Sequence, residues 1–163
     1  MTLPTGMRPG VRVAVDVGTV RVGVAASDAT GTLASPVRVL RRDARADRDI
    51  AELAAVVQDR DAIEVVVGLP RSLRNAEGRA AVAARDYAAK VAAAVAPVPV
   101  RLVDERLTTV EAARGLRAAG RDSKSARGVV DAAAAVVLLQ SALDTERRTD
   151  APAGEIVAVE DPP

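Results

Sequence analysis

The amino-acid sequence predicts an α/β protein built on a five-stranded mixed β-sheet with helices on both faces. Residues 11–40 alternate apolar and polar side chains in three short runs separated by turn residues, which is typical of an antiparallel meander. Residues 47–143 alternate helical patterns with two short, almost continuous apolar runs, which is typical of parallel strands joined by helices. The predicted order of elements is βββαβαβαα.

The predicted meander begins with a hairpin over residues 11–28. Its first strand carries valine at the odd positions, which share one face, whereas Asp16 lies on the other face. A Gly-Thr turn joins this strand to the second. Residues 32–40 form the third strand, and Pro36 predicts an edge position because proline cannot donate a hydrogen bond to a neighbouring strand.

The second half of the chain supplies the parallel part of the sheet. Apolar residues recur there at helical spacing, and the short apolar runs between them predict buried strands. A capping box formed by Thr108 and Glu111 begins one of the helices. The predicted elements are a helix over 47–60, a strand over 63–69, a helix over 77–95, a strand over 100–103, a helix over 108–119 and a helix over 125–143.

The length of 163 residues predicts one folded domain with a sizeable core. Residues 1–10 hold two prolines and two glycines and are expected to form a flexible N-terminus. Residues 11–146 form the predicted domain. Residues 147–163 are rich in proline and acidic residues and have no periodicity, which predicts a disordered tail.

The composition excludes several classes of site. The chain has no cysteine and no histidine, so disulfides, thiolate metal sites and Ser-His-Asp triads are excluded. No apolar run approaches the roughly 20 residues of a membrane span, so we expect a soluble, cytoplasmic protein without a membrane partner. The net charge of +1 neither favours nor excludes an anionic partner.

Three carboxylates are unusual because of their apolar surroundings. Asp16 lies within a valine-rich strand, Glu105 directly follows an apolar strand, and Asp131 lies inside an apolar helix. A carboxylate in such surroundings needs a partner. Each of the three alone has an ordinary structural explanation, as a turn residue or as a member of an ion pair. Together, two carboxylates from strands and one from a late helix can converge on a single site.

Such a cluster of oxygen ligands suits hard cations, and without histidine or cysteine Mg²⁺ or Mn²⁺ is the natural candidate. Two such ions roughly 4 Å apart would hold a phosphodiester, activate water and stabilise the leaving oxygen. In this hypothesis Glu105 and Asp131 each hold one side of the metal pair, and Asp16 bridges the two ions. These three acids are therefore the candidate catalytic and metal-binding residues.

Basic residues flank the predicted site, where phosphate contacts would position a nucleic acid. Ordinary solvated surface explains many of them equally well. Because Tyr87 is the only aromatic residue, we expect recognition through backbone and shape rather than through base stacking. The candidate nucleic-acid-binding residues are Arg21, Arg71, Arg74, Arg121, Lys124 and Arg127.

Four motifs occur in an order and at a spacing that resemble a known family. They are VAVDVGTVRVGVAASD, VVVGLP, DERLTT and VVDAAAAVVLLQ. Residues 11–143 resemble the YqgF/RuvX family of RNase H-like nucleases. The resemblance implies an RNase H-like fold, a divalent metal, Mg²⁺ or Mn²⁺, and metal-binding roles for Asp16, Glu105 and Asp131. The loop after Pro70 and the loop before Asp131 depart from many relatives, which affects substrate contacts more than the catalytic core.

The hypothesis that follows is a metal-dependent endonuclease, a hydrolase of ester bonds. Processing of the 5' end of pre-16S rRNA in ribosome biogenesis is the first choice, and resolution of Holliday junctions in DNA recombination and repair is the second. A homodimer would favour symmetric cutting of a junction. A non-catalytic nucleic-acid-binding module stays an alternative, although it should lack one or more of the acids. Residues 16–19 also resemble the phosphate-binding segment of actin-like and sugar kinases. Those enzymes bind ATP between two copies of the fold, and a chain of this length cannot form that cleft.

Overall fold

The computed structural model describes residues 7–70, 78–105 and 126–159, except for the side chains of residues 126–131. The predicted helix over 108–119 lies outside the described residues. The described elements are β1 (Arg12–Val17), β2 (Arg21–Ser27), β3 (Ala34–Arg41), α1 (Arg48–Asp59), β4 (Glu64–Leu69), α2 (Arg79–Val95), β5 (Val100–Asp104), α3 (Ala126–Thr149) and β6 (Glu155–Ile156). None of the described helices combines the length and the apolar character needed to cross a membrane.

The strands form one mixed sheet in the order β3-β2-β1-β4-β5-β6. β1 and β2 pair antiparallel, as do β2 and β3, which confirms the predicted meander. β1, β4 and β5 run parallel to one another, as the two apolar runs predicted. Pro36 lies in β3, the edge strand, next to the shift in register between β2 and β3, which confirms the predicted edge position.

The sheet has six strands, and the prediction of five is wrong. The additional strand, β6, has two residues and pairs antiparallel with Arg101 and Leu102 of β5. A strand this short has no recognisable alternation, so only its pairing partner reveals it. Residues 147–149 complete α3 and residues 155–156 form β6, both within the segment that the sequence predicted to be a disordered tail.

The two faces of the sheet pack against different helices. Val13, Val15 and Val65 belong to a core shared with α1 and α2. On the opposite face, Ala14 and Val66 pack against α3. Because side chains alternate along a strand, Asp16 lies on the same face as Ala14, the face that α3 covers. Helices on both faces are thus confirmed.

The direction of α3 follows from its contacts at two points. Near its C-terminus, Glu146 accepts a hydrogen bond from Arg12 at the start of β1, with an Nη2–Oε1 distance of 3.2 Å. Further back, Leu138 lies against Gly68, close to the end of β4. α3 therefore runs antiparallel to the parallel strands, and its N-terminal turns lie toward the carboxyl edge of the sheet.

Ion pairs between arginines and two buried glutamates hold together the elements at the amino edge of the sheet, where the parallel strands begin. Arg8 donates to Glu146 at 2.7 Å and to Glu64 at 3.1 Å. Arg101 also donates to Glu64, at 3.1 Å. Arg12 is 1% exposed, so its ion pair with Glu146 lies in the interior. This network fastens the segment before β1 to β4, β5 and α3, although the sequence predicted residues 1–10 to be flexible.

Candidate active site

The carboxyl ends of three neighbouring parallel strands bring Asp16 and Glu105 together. Asp16 is the penultimate residue of β1, and Glu105 directly follows β5. β4 lies between these two strands and ends with Gly68 and Leu69. Glu105 lies over Gly68, and its carboxyl is hydrogen-bonded to that of Asp16 on the far side. Ligand sites of open α/β sheets are found at this edge.

The contact between these two carboxyls changes the proton affinity of Glu105. Burial, the negative charge of Asp16 and the hydrogen bond to Asp16 together raise the pKa of Glu105 to about 7. The charge of Asp104 adds to the effect. At pH values below about 7 Glu105 is therefore mostly protonated and can donate a hydrogen bond to the carboxylate of Asp16.

A divalent cation fits this pair of acids. The carboxylate oxygens of Asp16 and Glu105 are ligands that hard cations prefer. A bound cation would neutralise the repulsion between the two carboxylates. The described side chains form no group of three or more candidate ligands. The third predicted acid, Asp131, lies in α3, one turn before buried Ala135 and two turns before buried Leu138. The side chain of Asp131 is not among the described side chains.

The predicted basic residues are described only in part. Arg21 is exposed at the start of β2. Arg127 lies in the first turn of α3, but its side chain is not described. The remaining predicted residues, Arg71, Arg74, Arg121 and Lys124, lie outside the described residues. The structure therefore places one of the six predicted side chains relative to the two acids.

Arg41 is a further basic residue near the two acids that the sequence pattern did not predict. Arg41 is exposed and pairs with Arg21 across β2 and β3. Asp16 pairs with Gly23, two residues from Arg21, so both arginines share the face of the sheet that carries Asp16. Arg21 and Arg41 thus place two positive charges opposite each other on this face of the sheet. The position of Arg41 opposite Arg21 depends on the register between β2 and β3, and the length of the loop that joins these strands is the feature of the sequence that indicates this register.

Comparison with known proteins identifies the family. The family model of RuvX, described as Holliday junction resolvase, matches residues 10–145. The chain belongs to the RuvX family. The resemblance inferred from the four motifs is thus confirmed.

Two curated relatives illustrate the match within the RuvX family. A protein of Kineococcus radiotolerans is 60% identical over 152 residues, which are 93% of this chain and 80% of that protein. A protein of Nocardioides sp. is 55% identical over 153 residues, covering 93% of this chain and 98% of that protein. Both carry the name "Putative pre-16S rRNA nuclease".

A solved structure confirms the fold. RuvC of T. thermophilus, in complex with a Holliday junction substrate, has a TM-score of 0.58 and 16% sequence identity, covering 88% of this chain and 98% of RuvC. The chain therefore has the RNase H-like fold predicted for a RuvX protein. Family and fold identify a nuclease, a hydrolase of ester bonds that binds nucleic acid, and they indicate a divalent metal cation.

Proposed function

We propose that this RuvX protein is an endonuclease dependent on Mg²⁺ or Mn²⁺ that processes the 5' end of pre-16S rRNA. The observation that carries the proposal is the contact between the carboxyls of Asp16 and Glu105 across Gly68. Two acids held this close, at the carboxyl edge of three parallel strands, offer oxygen ligands that a divalent cation would share. The names of the curated relatives support the choice of substrate.

The proposed metal site consists of Asp16, Glu105 and Asp131. Asp16 lies in β1 and Glu105 follows β5, the two strands that flank β4, and Asp131 belongs to the N-terminal turns of α3, which lie toward the same edge. The bound metal would act as a Lewis acid and lower the pKa of its water. Glu105 must give up its proton for this site to form, while Asp16 holds its position within the hydrogen-bonded strand.

The proposed path of the nucleic acid passes over Arg21 and Arg41. Arg21 lies about 7 Å along β2 from Gly23, the residue that pairs with Asp16, so a strand bound at the two acids would pass close to it. The guanidinium groups would bind phosphate oxygens and set the register of the strand to be cut. Tyr87 is buried and donates to Asp49 at 2.9 Å, so this ring is not available for base stacking.

The Holliday junction is the second candidate substrate. The family is described as Holliday junction resolvase, and the RuvC neighbour holds such a junction. A homodimer is part of this second proposal, because two strands must be cut at symmetric positions. Both substrates occur in the cytoplasm of bacteria, so either proposal places the protein there.

The test compares cleavage of an rRNA precursor and a four-way DNA junction under identical conditions, with Mg²⁺, Mn²⁺ or EDTA. We expect cleavage of the precursor with either metal and none with EDTA. The variant Asp16→Asn should cut about a hundredfold more slowly or worse, since metal-dependent stabilisation amounts to several kcal/mol and each 1.4 kcal/mol is tenfold.

Asp59→Asn provides the matched control for that test, because Asp59 is an exposed acid at the end of α1. This variant should cleave at the wild-type rate. If Asp16→Asn also cleaves as fast as wild type, the proposed metal site is wrong. If only the junction is cut, the order of the two substrates reverses, and the molecular mass in solution then tests the dimer.

A further inference from the structure

Gly68 is an unexpected residue within a buried strand. It lies in β4, where every residue is buried, and it pairs with Val103 of β5. A glycine inside a strand weakens it, because it contributes no side chain to the packing and loses more conformational freedom on folding. Its φ lies outside the left-handed region, so the backbone does not require glycine. The reason for a glycine must be space.

The space over Gly68 is filled by Glu105. A Cβ atom added to Gly68 would lie 2.7 Å from Oε1 of Glu105 and 3.3 Å from its Cγ. Real Cβ atoms essentially never approach another heavy atom within 3.0 Å, so either the carboxyl or the backbone would have to move. The same Cβ would lie 3.2 Å from Cδ2 of Leu138, a contact that requires a smaller adjustment.

We propose that Gly68 is a positioning residue of the active site, whose missing side chain lets Glu105 cross β4 and reach Asp16. Glu105 follows β5 and Asp16 belongs to β1, so the two acids are separated by the full width of β4. A side chain on this face of β4 would stand between them. This inference rests on the metal site proposed above and assigns the geometry of that site to a residue that carries no functional group.

The test is the variant Gly68→Ala, with two measurements. A crystal structure of the metal-free variant should show the carboxyl of Glu105 displaced from that of Asp16. Titration calorimetry with Mn²⁺ should show binding at least tenfold weaker than to wild type. In the Glu105→Ala background, adding Gly68→Ala should change Mn²⁺ affinity by less than twofold, because the side chain that it displaces is already absent.

Two control variants separate positioning from packing. Gly78→Ala adds the same methyl group at a site with no heavy atom within 4 Å, and it should bind Mn²⁺ like wild type. Leu138→Ala removes the other neighbour of the added Cβ. If Gly68→Ala with Leu138→Ala regains wild-type Mn²⁺ affinity, the glycine serves the packing of α3 and the inference is wrong.

The outcomes also separate this inference from the proposed function. If wild type binds no Mn²⁺, the proposed metal site fails, and the metal-free crystal structure still decides the role of Gly68. If wild type binds Mn²⁺ and Gly68→Ala keeps both the affinity and the contact between Glu105 and Asp16, only the inference about Gly68 is overturned.

Discussion

At the scale of single residues, the pKa of Glu105 shows how strongly the surroundings change the chemistry of one side chain. A glutamate in water has a pKa of 4.5, but partial burial and the neighbouring Asp16 raise the pKa of Glu105 to about 7. The sequence predicted that Glu105 and Asp16 converge on one site, but it did not predict the direct hydrogen bond between their carboxyls. That contact depends on the register between β1, β4 and β5, and on the absence of a side chain at Gly68.

The raised pKa of Glu105 predicts how the stability of the metal-free protein changes with pH. The folded state holds the proton more tightly than the unfolded state, whose Glu105 has the ordinary pKa of 4.5. The contribution to stability is therefore complete below pH 4.5 and is lost as the pH rises through about 7. Glu105→Gln does not titrate, so in EDTA its free energy of unfolding should fall less than that of wild type between pH 5 and pH 8.

Urea denaturation at the two pH values measures this difference. Glu52→Gln is the matched control, since Glu52 is exposed on α1, and it should follow wild type. Equal pH dependence for Glu105→Gln and wild type would show that the two acids do not repel each other in the folded protein.

At the scale of elements, hydrophobic periodicity predicted the long helices and strands, whereas features that depend on how strands pair could not be predicted. The meander, both parallel strands and the helices α1 and α2 followed from hydrophobic periodicity. β6 could not be predicted, because two residues carry no period and owe their conformation to β5. Arg41 was missed for a related reason, since its position opposite Arg21 is a property of two strands together.

The pairing of Arg21 with Arg41 predicts a phosphate-binding role for Arg41. Arg41→Ala should weaken binding of nucleic acids of different sequence to a similar extent, because phosphates carry no sequence information. The slope of log K against log salt concentration should decrease by about 1, as expected for the loss of one phosphate contact. Fluorescence anisotropy at several salt concentrations, with EDTA present to prevent cleavage, measures both quantities.

Arg60→Ala is the comparison for that measurement. Arg60 is exposed at the C-terminus of α1, just before the amino-terminal end of β4. Its replacement removes the same charge far from the carboxyl edge, so the salt slope should stay as in wild type. An unchanged slope for Arg41→Ala would instead remove Arg41 from the proposed path.

At the scale of the whole molecule, the two edges of the sheet differ in how they accommodate acids. The carboxyl edge holds Asp16 and Glu105 close together, which destabilises the metal-free protein, whereas at the amino edge the two buried glutamates, Glu64 and Glu146, are paired with arginines. Glu146 joins Arg8 and Arg12 there, and these ion pairs lower its pKa. Tyr87, Asp49 and Arg42 form a second polar cluster that links α2, α1 and the end of β3.

The variant Glu146→Gln should destabilise the fold at neutral pH by about 3 kcal/mol, because it leaves Arg12 buried without its acid. The pKa of Glu146 is lowered in the folded state, so its contribution is present above the ordinary pKa of 4.5 and is lost as the pH falls. The difference in unfolding free energy between wild type and the variant should thus be smaller at pH 3.5 than at pH 7.

Glu155→Gln provides the contrast in the same denaturation experiment. Glu155 forms an ion pair with Arg85 at 2.9 Å, but it is exposed, and such pairs contribute roughly 0–1 kcal/mol. A loss for Glu146→Gln no larger than that for Glu155→Gln would contradict the view that the amino edge is held by its buried charges.

The hydrogen bond between Arg8 and Glu146 has a consequence for synthesis of the protein. It joins residues 138 positions apart, so almost the whole domain must leave the ribosome before the bond can form. Contacts between residues so far apart in the sequence form late in folding, because closing a long loop costs conformational entropy. The segment that brings Glu146 is also the helix that carries Asp131. The helix that pairs with Arg8 and Arg12 at the amino edge is thus the same helix that supplies the third proposed metal ligand, so a chain truncated before α3 would lack both.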